Sequence, residues 1–146
     1  MKWVWITLLA VAAIVAVVAA CGAMLPVNHV ASKRAKFKQP PATIWAAIDR
    51  DKTFREDGVN YAVTRSEPPR RIETKITDNN LPYGGTWTYE LAPTPAGSEL
   101  RITEHGSVYN PIFRFVSRFV MGHTATIETR LRGLGKKFGE EVQVED

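Results

Sequence analysis

The segment from Tyr109 to Gly139 constrains this chain most, because it reads as one continuous amphipathic helix, about 40 Å long, that only a packed surface can stabilise. Asn110 suits the N-cap, and Pro111 suits the first helical position, where a missing N–H costs nothing and φ is already helical. Ile112, Val116, Phe119, His123, Ile127, Leu131, Leu134 and Phe138 follow at spacings of three or four and so share a face. Arg114, Arg118, Arg132, Lys136 and Lys137 fall on the opposite side, and Gly139 can end the helix. An apolar stripe of this length must be buried against something, and the preceding sequence supplies a set of strands.

His29 to Lys38 alternates, with Ala31, Ala35 and Phe37 on one side and Ser32, Arg34, Lys36 and Lys38 on the other; Lys33 breaks the pattern. Pro40-Pro41 ends this strand and can open a short helix, Ala42 to Asp49, in which Ile44, Trp45 and Ile48 share a face. Lys52 to Glu56 and Val59 to Ser66 flank Asp57-Gly58, a strong two-residue hairpin signal. Further strands are predicted around Ile72, Thr74 and Ile76, then Thr86 to Leu91 with Trp87, Tyr89 and Leu91 on one face, then Glu99 to His105 with Leu100, Ile102 and Glu104 together. Strands joined by short turns imply an antiparallel sheet with one apolar face. The long helix is expected to cover it.

At the other end, Trp3 to Leu25 carries no charge and, at 1.5 Å per residue, reaches roughly 34 Å, enough for a hydrocarbon core of about 30 Å. Trp3 and Trp5 sit where an interfacial aromatic belt belongs. Val18-Ala19-Ala20-Cys21 also fits a bacterial lipoprotein cleavage pattern, with Cys21 as lipid acceptor. The apolar run continues past Cys21 to Leu25 before Pro26 ends it, which favours an uncut, single-pass transmembrane helix. Lys33, Arg34, Lys36 and Lys38 then place the domain on the cytoplasmic side, whereas a lipoprotein would place it outside. The expected division is residues 1–26 as membrane helix, 27–140 as the domain and 141–146 as a tail.

A net charge of +4 over 146 residues is too small a surplus to indicate nucleic-acid binding. A single cysteine excludes an intramolecular disulfide framework.

The order of elements, with Leu81-Pro82-Tyr83-Gly84-Gly85-Thr86-Trp87-Thr88-Tyr89-Glu90, Thr103-Glu104-His105-Gly106, Tyr109-Asn110-Pro111-Ile112-Phe113-Arg114-Phe115 and Gly122-His123-Thr124, resembles the polyketide cyclase/START-like (SRPBCC, Bet v 1-like) superfamily, bacterial members with an N-terminal membrane segment. The resemblance implies an α+β helix-grip fold, an antiparallel sheet wrapped around a long C-terminal helix and a cavity for apolar ligands. One departure stands out: only Arg50 to Asp57 separates the first short helix from the meander, where roughly 25 residues of helix and strand are expected from the resemblance. That puts one edge strand and the closure of one cavity end in doubt, and leaves an edge open to a protein partner or to self-association.

Three functions follow as alternatives. The first is a membrane-tethered module that binds a hydrophobic small molecule or lipid, lined by Trp45, Tyr61, Trp87, Tyr89, Ile102, Glu104, Phe119, His123 and Ile127. The second is a cyclase or dehydratase-type enzyme with Glu104 and His123 as acid/base groups, although Glu104 also suits a rim carboxylate paired with Arg114, and His123 a buried histidine with one hydrogen bond. The third is a structural module completed by a partner's strand. Gly122 beside His123 suggests close approach of another element. His29, His105 and His123 have no metal-ligand spacing, and no glycine-rich phosphate loop is present, so neither metal nor cofactor is expected.

Overall fold

The computed structural model describes all 146 residues. The chain runs α1 (Lys2–Met24), β1 (Asn28–Phe37), α2 (Pro41–Ile48), β2 (Thr53–Glu56), β3 (Val59–Glu67), β4 (Arg71–Ile76), β5 (Tyr83–Thr94), β6 (Gly97–Val108), α3 (Pro111–Val116), a π-helical turn (Ser117–Met121), α4 (Ala125–Lys137) and β7 (Val144–Glu145). The strands form one seven-stranded antiparallel sheet in the order β2-β3-β4-β5-β6-β1-β7. The fold is α+β with the helix-grip arrangement.

Local chemistry explains much of this. Asp57 and Gly58 both take positive φ, 49° and 81°, which is the primed turn that right-twisted hairpin strands require. Leu100 and Ile102 on β6, Ile72 on β4 and Ala35 and Phe37 on β1 fill the inner face of the sheet, while Ile44, Trp45 and Ile48 of α2 and Ile127 and Leu131 of α4 close over it. Each of the fully buried aliphatic side chains contributes about 1.5–3 kcal/mol. Lys33, the exception in the β1 alternation, reaches the Asp146 carboxylate. The tail supplies the neighbouring edge of the sheet: Val144 pairs with Ala35 and Glu145 with Arg34. The other edge is β2, four residues long.

The C-terminal segment departs from a single continuous helix. Asn110 does cap its start, with Oδ1 accepting a hydrogen bond from the Phe113 N–H at 3.0 Å. After α3 the ladder slips into the π-helical turn and stops at Gly122, whose φ of 74° and ψ of 151° no L residue adopts easily. A Cβ on Gly122 would meet nothing within 4 Å, so the glycine serves the backbone there and not a close approach. The stripe therefore divides. Ile127 and Leu131 face the sheet, whereas Phe119 is 63% exposed. The reason is that α3 packs mainly on the end of α1 and touches the sheet only at β6, whereas α4 packs across β1, β6 and β7. Gly139, with φ of 69°, stops the chain after α4, as its sequence position implies.

Candidate functional site

Between the inner face of the sheet and α4 lies a groove of about 390 Å³. Its floor is aromatic and aliphatic: Tyr61 from β3, Trp87 and Tyr89 from β5, and Leu100 and Ile102 from β6. Strand alternation aims these side chains inward, because residues two apart on a strand share a face. The wall from α4 includes Thr126, Thr129, Arg130, Gly133 and Leu134.

Polar groups gather at one end. Arg130 grips the Glu56 carboxylate with both terminal nitrogens, Nη1 to Oε1 at 2.6 Å and Nη2 to Oε2 at 2.7 Å, the fork geometry that strengthens such pairs. Its guanidinium also lies 5.9 Å from the Tyr89 ring centroid, and Arg50 lies at the same distance from Phe54. Phe54 in turn stacks on Tyr61 with centroids 5.1 Å apart. Burial works against the charge on Arg130, but the hydrogen bond to Glu56 and the nearby tyrosines outweigh it and hold the guanidinium above its usual range. Burial pushes the Tyr61 phenol up to about 12, and the Tyr89 phenol moves in the same direction for the same reason. Both hydroxyls therefore stay protonated across physiological pH and can donate a hydrogen bond to a ligand.

Of the residues named from sequence, Tyr61, Trp87, Tyr89 and Ile102 come together in this groove. Trp45 and Ile127 are buried in the core, and Phe119 stands on the exposed π-helical turn. Glu104 and His123 line neither wall of the groove; His29 stands beside both. The rings of His29 and His123 stack with centroids 3.8 Å apart, and His29 Nε2 is 3.9 Å from Glu104 Oε1. Burial lowers the His29 imidazole, helped by His123 and Arg118, and burial then Arg118 lower His123. Burial raises the Glu104 carboxyl, partly opposed by a hydrogen bond from the Trp87 indole. Each group is thus moved towards its neutral form. Arg114 does not pair with Glu104; it donates to backbone carbonyls at the end of α1, Gly22 and Leu25, and at the end of β6, Val108 and Tyr109.

Sequence reasoning missed Arg130 and Glu56. Arg130 follows Ile127 by three residues and adjoins Leu131, so it lies at the edge of the buried stripe, where a long cation can reach over a groove. That edge position was the available signal. Glu56, beside the Asp57-Gly58 turn, offered none.

No family model matches the chain, and no curated protein matches it. Solved structures do resemble it. A crystal structure of a Mesorhizobium loti protein aligns with a TM-score of 0.53 at 18% identity, covering 75% of this chain and 98% of that one. A Rhizobium leguminosarum protein aligns with a TM-score of 0.53 at 14% identity over 75% of this chain and 95% of the other. A solution structure from Arthrobacter aurescens gives a TM-score of 0.51 at 12% identity, covering 73% and 86%. At these identities the likeness is one of fold.

Proposed function

We propose that this protein is a membrane-held module that binds a hydrophobic small molecule or lipid in the groove between the sheet and α4. The observation that carries the reading is the groove itself: about 390 Å³ walled by Tyr61, Trp87, Tyr89 and Ile102, with the Arg130–Glu56 pair at one end. An apolar cleft with a few convergent polar groups is a common form for a small-molecule site. A ligand with an acidic head suits it best, since such a head can exchange with Glu56 on the fork of Arg130 while its apolar body lies on the aromatic floor.

The anchor in this reading is α1, uncut, the one helix long and apolar enough to cross a membrane or to act as a signal sequence. Support comes from Val18 and Ala19, which precede the lipoprotein-type cut and yet are partly covered by the domain. Intact mass of the membrane-extracted protein should include residues before Cys21; a chain starting at lipid-modified Cys21 would overturn the anchor. We place the domain on the cytoplasmic side, because insertion reads Lys33, Arg34, Lys36 and Lys38 before β1 pairs them.

Ligand binding is tested on the full-length protein in lipid nanodiscs with a photoreactive fatty acid and a polycyclic aromatic acid. Saturable labelling of peptides from β5 or α4 at micromolar concentration is expected, weakened at least about tenfold in Trp87→Ala with circular dichroism unchanged. Labelling that never saturates, or that is indifferent to Trp87 and to unlabelled competitor, would refute the binding reading.

A further inference from the structure

The face of α3 and the π-helical turn turned away from α1 has no protein partner. Ile112, Phe119, Val120 and Met121 are all exposed there, Val120 at 73%, and Phe115 leans on Phe119 with ring centroids 4.9 Å apart. The opposite face is fixed to α1. Val18, Ala19 and Gly22 of α1, with Leu25 just past its end, are the residues of this stretch that are not fully exposed, and α3 packs there. Contact at Gly22 is so close that a Cβ there would sit 1.9 Å from the Pro111 carbonyl oxygen. Val18 lies six residues before the end of α1, so the covered stretch reaches about 9 Å back along the helix.

Arg114 closes the junction. Its guanidinium, buried, donates to the backbone carbonyls of Gly22 at 3.1 Å, Leu25 at 2.9 Å, Val108 at 3.0 Å and Tyr109 at 3.2 Å. The last carbonyls of a helix have no partner within the helix and normally take water. In a water-poor environment they need a donor from the protein, and a cation at a helix C-terminus is also favoured by the dipole. Ser117 similarly turns its hydroxyl back onto the Arg114 carbonyl at 3.1 Å. Arg118 is exposed on the same short stretch, with a stem long enough to carry its charge outwards.

We propose that α3 and the π-helical turn lie in the bilayer themselves, in the leaflet that holds the C-terminal end of α1, with Phe119, Val120 and Met121 among the acyl chains and Arg118 at the headgroup phosphates. This rests on the membrane anchoring of α1 and adds a second immersed element to it. Three features point to lipid as the occupant: the packing of α3, which bears the exposed apolar face, directly on the last turns of α1, the internal satisfaction of the junction's carbonyls, and an exposed cation with a stem long enough to snorkel.

The test uses the full chain with Cys21→Ser, reconstituted in phosphatidylcholine/phosphatidylglycerol vesicles and carrying one nitroxide at Val120→Cys, at Val11→Cys in mid-α1, or at Ala96→Cys in the β5–β6 turn. Power-saturation measurements compare collisions with oxygen, which concentrates in hydrocarbon, and with a water-soluble nickel chelate. A label at Val120 should favour oxygen several-fold over the Ala96 label and approach the Val11 label. If Val11 reads as lipid and Val120 as water, the second immersed element is refuted and the anchor survives. If both read as water, the anchor and this inference fail together. A Val120 label shielded from both quenchers, with dipolar broadening between labels, would mean that a second copy covers the face and would also overturn the proposal.

Discussion

Arg114 carries a full charge into a buried junction that holds no carboxylate, and its four hydrogen bonds all go to backbone carbonyls. Arg114→Met should destabilise the protein by about 3 kcal/mol, since those acceptors lose a charged donor and regain little water. Arg114→Lys should recover only part of that, because one ammonium cannot span a planar fork's acceptors; thermal unfolding in detergent micelles measures both. Nothing in the sequence disclosed this role. Arg114 falls among the polar positions of the helical pattern, and its partners are main-chain groups that leave no mark on residue identity. Glu104 and the two stacked histidines give a pH prediction. Burial raises Glu104 above 4.5, so the folded state holds more protons than the unfolded chain just above that pH, and stability falls as pH rises through the window. Burial lowers His29 and His123 below 6.5, so the unfolded chain holds more protons just below that pH, and stability falls as pH drops through this second window. The two slopes oppose. Glu104→Gln removes the first and should leave a melting temperature that rises more steeply with pH on the acid side of 6.5 than in the unmodified protein.

Among elements, the division of the C-terminal helix has the most consequence. Its existence, its cap at Asn110 and its stop at Gly139 were legible, because each rests on a local rule. The break was not. Phe119 and His123 are four apart, so the apolar period runs straight through Gly122 and hides that the two halves pack on different partners. Gly122→Ala should cost about 1–3 kcal/mol through backbone strain alone, there being open space around the added methyl group, and chemical denaturation in detergent would show it. Gly22→Leu tests the other partner. It keeps α1 apolar but drives a side chain into the Pro111 carbonyl, so α3 must lift away. Trypsin should then cut faster after Arg118, with the far-ultraviolet circular dichroism of the sheet unchanged; an unaltered cleavage rate would mean that α3 is not held by this contact.

Over the whole molecule, the meander from β2 to β6 was readable from alternation and turn signals, and its register follows from which face is apolar. The placing of β1 beside β6, and of the tail beside β1, was not, because pairing across such sequence distances has no local signature. Deleting residues 141–146 removes the ion pairs from Lys33 and Arg34 to Asp146 and Glu145, and with them Val142, which packs against the core. The loss should be about 1–2 kcal/mol, mostly from apolar packing, and scattering should reveal association through the bared edge of β1. Only Leu25, Pro26 and Val27 separate α1 from β1, a reach of about 10 Å even when fully extended, and the Arg114 bonds at Gly22 and Leu25 take up that slack. With α1 in a bilayer, the domain is therefore mounted as a bracket is mounted on a wall. It has no radius in which to search, so any ligand or partner must travel to it along or from the membrane surface, and any tilt of α1 would reorient the whole sheet.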